Sequence, residues 1–105
     1  MVLIQLLLPA AAPGADAETA VADTHRELVE AFGGLTAYVR TPAEGVWTSP
    51  DGGRERDAVL MVEVVAPAFE RTWWRDYAAR LARRFRQEAI HVRALPVELL
   101  DPDAA

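Results

Sequence analysis

Two periods of apolar residues run through this chain, and their alternation sets the order of its elements. Residues 2–8 (VLIQLLL) are apolar and closed by Pro9, which reads as a first strand. Val21, His25, Leu28 and Phe32 recur at helical spacing, flanked by Thr24 and Ala31. They predict a helix over 17–32, with Asp16 as N-cap and Gly33-Gly34 as its stop. Residues 35–40 form a second strand, interrupted at 41–45 and resuming at 46–48. Ser49-Pro50-Asp51-Gly52-Gly53 is a turn, and 57–65 a third strand. Pro67 sits in the first turn of a second helix over 68–86, with a stripe of Phe69 or Trp73, Trp74, Tyr77, Ala78, Leu81 and Phe85. Residues 89–95 are the fourth strand, and 96–105 a tail.

The order is β-α-β-β-α-β with the hairpin in the middle, which predicts an α+β, ferredoxin-like domain over 1–95. The expected sheet is antiparallel, four-stranded and ordered 4-1-3-2, with both helices on one face. Period-two reading supports it. One parity takes Val2, Ile4, Leu6, Leu8, Leu35, Ala37, Val39, Ala58, Leu60, Val62, Val64, Ile90, Val92 and Ala94, all apolar.

The other parity is mixed: Leu3, Gln5, Leu7, Thr36, Tyr38, Arg40, Val59, Met61, Glu63, Val65, His91, Arg93 and Leu95. Its large apolar groups ask for a cover, since monomers rarely expose wide apolar patches. Its polar members suggest two readings. In the first, this face binds a second copy, with Leu3, Leu7, Trp47, Met61 and Arg93 at the interface. In the second, His91 and Glu63 form a proton-transfer pair beside Tyr38 and Gln5, acting on a small organic molecule. Pairing the hairpin about residue 51 sets Tyr38 opposite Glu63. Trp47, near the hairpin end, is expected on an arm that projects from the domain, touching a neighbouring chain or rimming a pocket.

With 105 residues the chain holds one domain, and 51% apolar against 26% charged residues is ordinary for a globular protein. The net charge of −5 disfavours nucleic acid as a partner. The absence of cysteine removes disulfides, thiol nucleophiles and iron–sulfur clusters. Neither histidine has the spacing of a metal clamp, so no metal or cofactor is expected. All eleven basic residues are Arg, a usage that points to a GC-rich bacterial genome. The run at 2–8 is too short to span a bilayer and has no preceding Lys or Arg. Reading it as a strand makes the protein cytoplasmic, with secretion the alternative and no membrane partner.

Other features have plain structural readings. His25 reads as a core-edge histidine, and the Arg-rich surface of helix two as a solvated face. Of Trp73 and Trp74, one belongs in the core and one at its boundary; a stacking platform for a ligand is the lesser alternative. Gln87-Glu88 reads as the exit from helix two.

Three blocks carry a resemblance: Phe32-Gly33-Gly34-Leu35-Thr36-Ala37-Tyr38, Glu44-Gly45-Val46-Trp47, and Arg84-Phe85-Arg86-Gln87-Glu88-Ala89-Ile90. Their order resembles a group of small uncharacterised bacterial domains. By fold the chain is similar to the dimeric α/β-barrel proteins, which include cofactor-free monooxygenases and small isomerases. That resemblance implies a homodimer, and it transfers no catalytic residue. The expected function is a homo-oligomeric binding or interaction module. The alternative is a cofactor-independent enzyme of the monooxygenase or isomerase kind.

Overall fold

Five strand segments and two helices follow one another along the chain in a computed structural model. It describes the backbone of residues 1–9, 15–38, 43–48 and 54–100, and the side chains of these except 15–17, 43–48 and 54–58. The elements are β1 (Val2–Pro9), α1 (Ala15–Phe32), β2 (Thr36–Ala37), β3 (Ala43–Thr48), β4 (Arg54–Ala66), α2 (Arg71–Arg84) and β5 (His91–Pro96). The sheet is antiparallel and runs β2-β4-β1-β5, with β3 also pairing with β4. Counting β2 and β3 as one interrupted strand, this is the 4-1-3-2 order, and the fold is α+β and ferredoxin-like.

The apolar parity forms the core. Ile4, Leu6, Leu8 and Val62 are fully buried, and Val64, Ala66 and Ile90 nearly so. Val2, Leu35, Ala37, Val92 and Ala94 pack at its edge. One position departs. Val59, assigned to the second face, is buried, while Leu60 is only half-buried. Val59 pairs with Pro9 on one side and Ala43 on the other, so strands cover both its flanks. Among the described residues Leu60 has no register partner on the β2–β3 side.

That interruption shifts the register. Thr36 lies opposite Glu63, yet Ala43 lies opposite Val59. Between the pairs Ala37–Val62 and Ala43–Val59, five residues on one strand answer two on the other, a gain of three where a simple bulge gains one. Tyr38 is therefore opposite Met61, whose carbonyl accepts its backbone N–H at 2.9 Å, and not opposite Glu63 as expected. β3 begins at Ala43, inside the stretch read as the interruption.

Beyond Val59 the residues of β4 have only β3 beside them among the described residues. The hairpin thus extends past β1 as a two-stranded ribbon carrying the Trp47–Glu55 pair. Thirteen residues of β4 span about 43 Å at roughly 3.3 Å each, which makes it the longest of the described strands.

Both helices differ in detail from expectation. α1 starts at Ala15, so Asp16 lies within the helix and not at its N-cap. Its buried row is Ala20, Thr24 and Leu28; Val21 and His25 lie at the edge of that row. α2 starts at Arg71, with Glu70 as N-cap, and Pro67 lies in the bend that leaves β4. The first helical bond runs from Trp74 N to Glu70 O at 3.0 Å, which leaves residues 67–69 as connection. Trp74, Tyr77, Leu81 and Ala82 are its buried face.

Candidate functional site

The helices cover one side of the sheet; the other side carries a polar chain framed by apolar residues. Gln5 stands at its centre because β1 is the inner strand between β4 and β5. Its register partners are Glu63 on β4 and Arg93 on β5. Gln5 Nε2 donates to Glu63 Oε2 at 2.7 Å, and Arg93 Nε donates to Gln5 Oε1 at 2.7 Å. Tyr38, just past β2, donates its hydroxyl to Glu63 Oε1 at 2.8 Å. The two-residue register shift does not prevent this contact, because a diagonal neighbour on the same face is within reach of a long aromatic side chain.

The chain Arg93–Gln5–Glu63–Tyr38 crosses the sheet from edge to edge. Its charges sit at separate points, one cation and one anion, joined by a neutral amide that donates toward the anion and accepts from the cation. Each bond polarises the next in the same sense. The hydrogen bond to the Glu63 carboxylate is the main reason the Tyr38 phenol holds its proton above its ordinary range, with the Glu63 charge adding to it.

His91 is outside this chain. It stands opposite Leu7, two residues along β5 from Arg93, and is exposed. The Glu63 carboxylate is bonded to Gln5 and Tyr38 instead of to His91. Around the polar chain lie Leu3, Leu7, Met61 and Val65, all half-buried, with Leu95 41% exposed. The Trp47 side chain lies outside the described residues; its backbone is on the ribbon, opposite Glu55.

A second polar cluster, between the helices, was not legible in the sequence. Arg84 forks onto Glu27, Nη1 to Oε1 at 2.7 Å and Nη2 to Oε2 at 2.8 Å. Arg84 Nη1 also donates to Thr24 Oγ1 at 3.0 Å, and the Tyr77 hydroxyl donates to Glu27 Oε1 at 3.0 Å. Thr24, fully buried, in turn donates to the Ala20 carbonyl at 2.7 Å. The Arg84 fork holds the Glu27 carboxyl at about 2, well below the usual range, and raises Arg84 further. Burial and the bond to Glu27 push the Tyr77 phenol up. Thus Arg84 is an interhelical clasp and not part of a solvated face. Burial alone lowers His25 from its ordinary value, in keeping with a core edge.

No protein-family model matches the chain, and no curated protein matches it. Solved structures do. CutA1 from Pyrococcus horikoshii superposes with a TM-score of 0.56 at 13% identity, covering 98% of this chain and 89% of that one. A single-residue variant of CutA1 from Pyrococcus horikoshii OT3 gives 0.62 at 10% identity, with the same coverage. The chain shares the CutA1 fold. At this identity the likeness to CutA1 carries the fold and nothing of its chemistry. Among the described residues no helix is long and apolar enough to cross a membrane, and no three acidic or histidine side chains are placed to hold a metal ion.

Proposed function

We propose that this protein is a non-catalytic module that self-associates through its uncovered sheet face, as a homodimer in its simplest closed form. The carrying observation is the hydrogen-bonded chain Arg93–Gln5–Glu63–Tyr38 set among Leu3, Leu7, Met61, Val65 and Leu95. A lone carboxylate in such a place would resist being covered, because an unpaired charge is expensive to bury. Here the carboxylate has two donors and the amide uses both its oxygen and its nitrogen. The face balances one cation against one anion. A second copy can cover it, removing apolar area from water at about 25 cal/mol per Å² without orphaning those groups. An isologous contact also places like residues near the two-fold axis, so an internally neutral face suits it.

The enzyme alternative rested on His91 and Glu63 acting as a pair. Glu63 is committed to Gln5 and Tyr38 and His91 stands apart, so the geometry favours the interaction module.

Light scattering at micromolar concentration tests the proposal. The parent should have the mass of an oligomer, and Met61→Glu should shift it toward monomer, since Met61 adjoins the polar chain and a new carboxylate there has no donor. A parent that is strictly monomeric, with Met61→Glu indistinguishable from it, would overturn the reading.

A further inference from the structure

At the end of the sheet away from the ribbon, the C-terminus of α1 and the N-terminus of α2 flank an open cleft of about 440 Å³. It is lined by Ala31, Phe32, Glu70, Thr72, Trp73 and Trp74. We propose that this cleft binds a small organic cation of the quaternary or alkylated ammonium class. It faces away from the uncovered side of the sheet, so the proposal stands apart from the self-association described above.

The walls are aromatic and fixed. Phe32 stacks on Trp74 with ring centroids 5.2 Å apart, and Trp73 meets both edge-on, at 5.2 Å from Phe32 and 4.8 Å from Trp74. Trp74 is buried, whereas Trp73 keeps 39% of its surface exposed. Behind it, Tyr77 stacks on Trp73 at 4.9 Å and Arg80 covers Tyr77 at 4.9 Å, so Trp73 is held in place by ring contacts while part of its surface stays open to solvent. Aromatic faces carry negative quadrupole density and attract cations within about 6 Å of the centroid.

The one charged residue lining the cleft is Glu70, an anion set against the positive end of the α2 dipole. Glu70 caps α2 through its backbone only; its carboxylate makes no side-chain cap bond. The last turn of α1 contains no basic residue, so the negative end of its dipole meets no cation from its own helix. The adjacent Arg71 is drawn aside, its guanidinium lying over the Phe69 ring at 5.7 Å. The protein's net charge of −5 adds a field that favours cations. A volume of this size suits a small molecule, and apolar walls with one charged group are the usual construction of such sites. An inorganic cation would find one carboxylate and no further oxygen ligands from acidic side chains, which suits an alkylated ammonium better.

The test is a titration followed by the indole N–H resonances of the three tryptophans. Choline chloride is the probe, sodium chloride the ionic-strength control, and 3,3-dimethylbutan-1-ol the neutral isostere. The Trp73 and Trp74 signals should shift along a saturable curve with a dissociation constant of about 1 mM, while the Trp47 signal stays in place. The neutral isostere should bind at least about fivefold more weakly. Glu70→Gln and Trp73→Ala should each weaken choline binding by about threefold or more, with Trp74 reporting in the second variant. Both residues are exposed, so the fold should survive; a retained amide spectrum checks this. Equal affinity for choline and its isostere would overturn the proposal, leaving an apolar cleft without charge preference. So would the absence of any saturable shift at Trp73 and Trp74.

Discussion

At the residue scale, Arg86 shows how a local conflict is resolved. It has φ of 55°, the left-handed region, and no glycine is available at that position. The hydrogen bonds explain why it is held there. Gln87 N donates to the Ala82 carbonyl at 2.8 Å and Arg86 N to the Arg83 carbonyl at 3.3 Å, which together close the end of α2. A side chain with a Cβ costs about 1–2 kcal/mol in this conformation. Arg86→Gly should therefore raise stability by about 0.5–1 kcal/mol, read as a higher midpoint in urea. The Glu27–Arg84 fork is a second residue-scale case. Its folded carboxyl sits at about 2, below its unfolded value, so the pair stabilises above about pH 4.5 and the contribution fades as pH falls toward 2. Glu27→Gln should cost about 1–2 kcal/mol at pH 7 after screening of this partly exposed pair, and most of the gap to the parent should close by pH 2. Equal gaps at both pH values would count against the fork.

At the scale of elements, α1 and β2 meet at Gly33, with φ of 84° and its N–H bonded to the Val29 carbonyl at 2.8 Å. No atom lies within 4 Å of where a Cβ would stand, so Gly33→Ala is limited by backbone strain alone and should cost about 1 kcal/mol in thermal unfolding. Gly34→Ala, without the left-handed backbone, should cost less. Elements were largely legible in the sequence because side-chain parity marks a strand buried on one face, as in β1 and the 62–66 part of β4. The same parity put Gln5, Tyr38, Glu63 and Arg93 on one face. It could not choose between His91 and Arg93 as the neighbour of Gln5. That depends on how β5 slides against β1, and a shift of two residues keeps every side chain on its own face. The Val59–Leu60 exchange was hidden for a related reason: the number of residues gained in the interruption is set by pairing, which composition does not reveal. Likewise the Arg86 cap lacked the glycine that announces such an end, and the Glu27–Arg84 clasp joins residues far apart in the chain.

At the scale of the whole molecule, the sheet and helices form one body and the ribbon of β3 and β4 reaches beyond it. If the ribbon contributes to self-association, Trp47→Ala should lower the association constant more than it lowers the unfolding free energy of the monomer. A variant that loses stability and keeps its oligomeric mass would move Trp47 into the domain instead. The ribbon has a further consequence for how the protein opens. Among the described residues its backbone bonds from Ala58 outward are shared by two strands, and a lone hairpin is marginal in water. The core half of β4 is locked between β1 and β2. One continuous strand therefore belongs to two units of different stability, joined near Val59. Amide exchange with solvent deuterium should divide there: the amides of Arg54 to Ala58 exchange through opening of the hairpin alone, and those of Val62 to Val64 only when the domain unfolds. Dilution that separates the copies should hasten the first set and leave the second unchanged, if the ribbon is held by a neighbour.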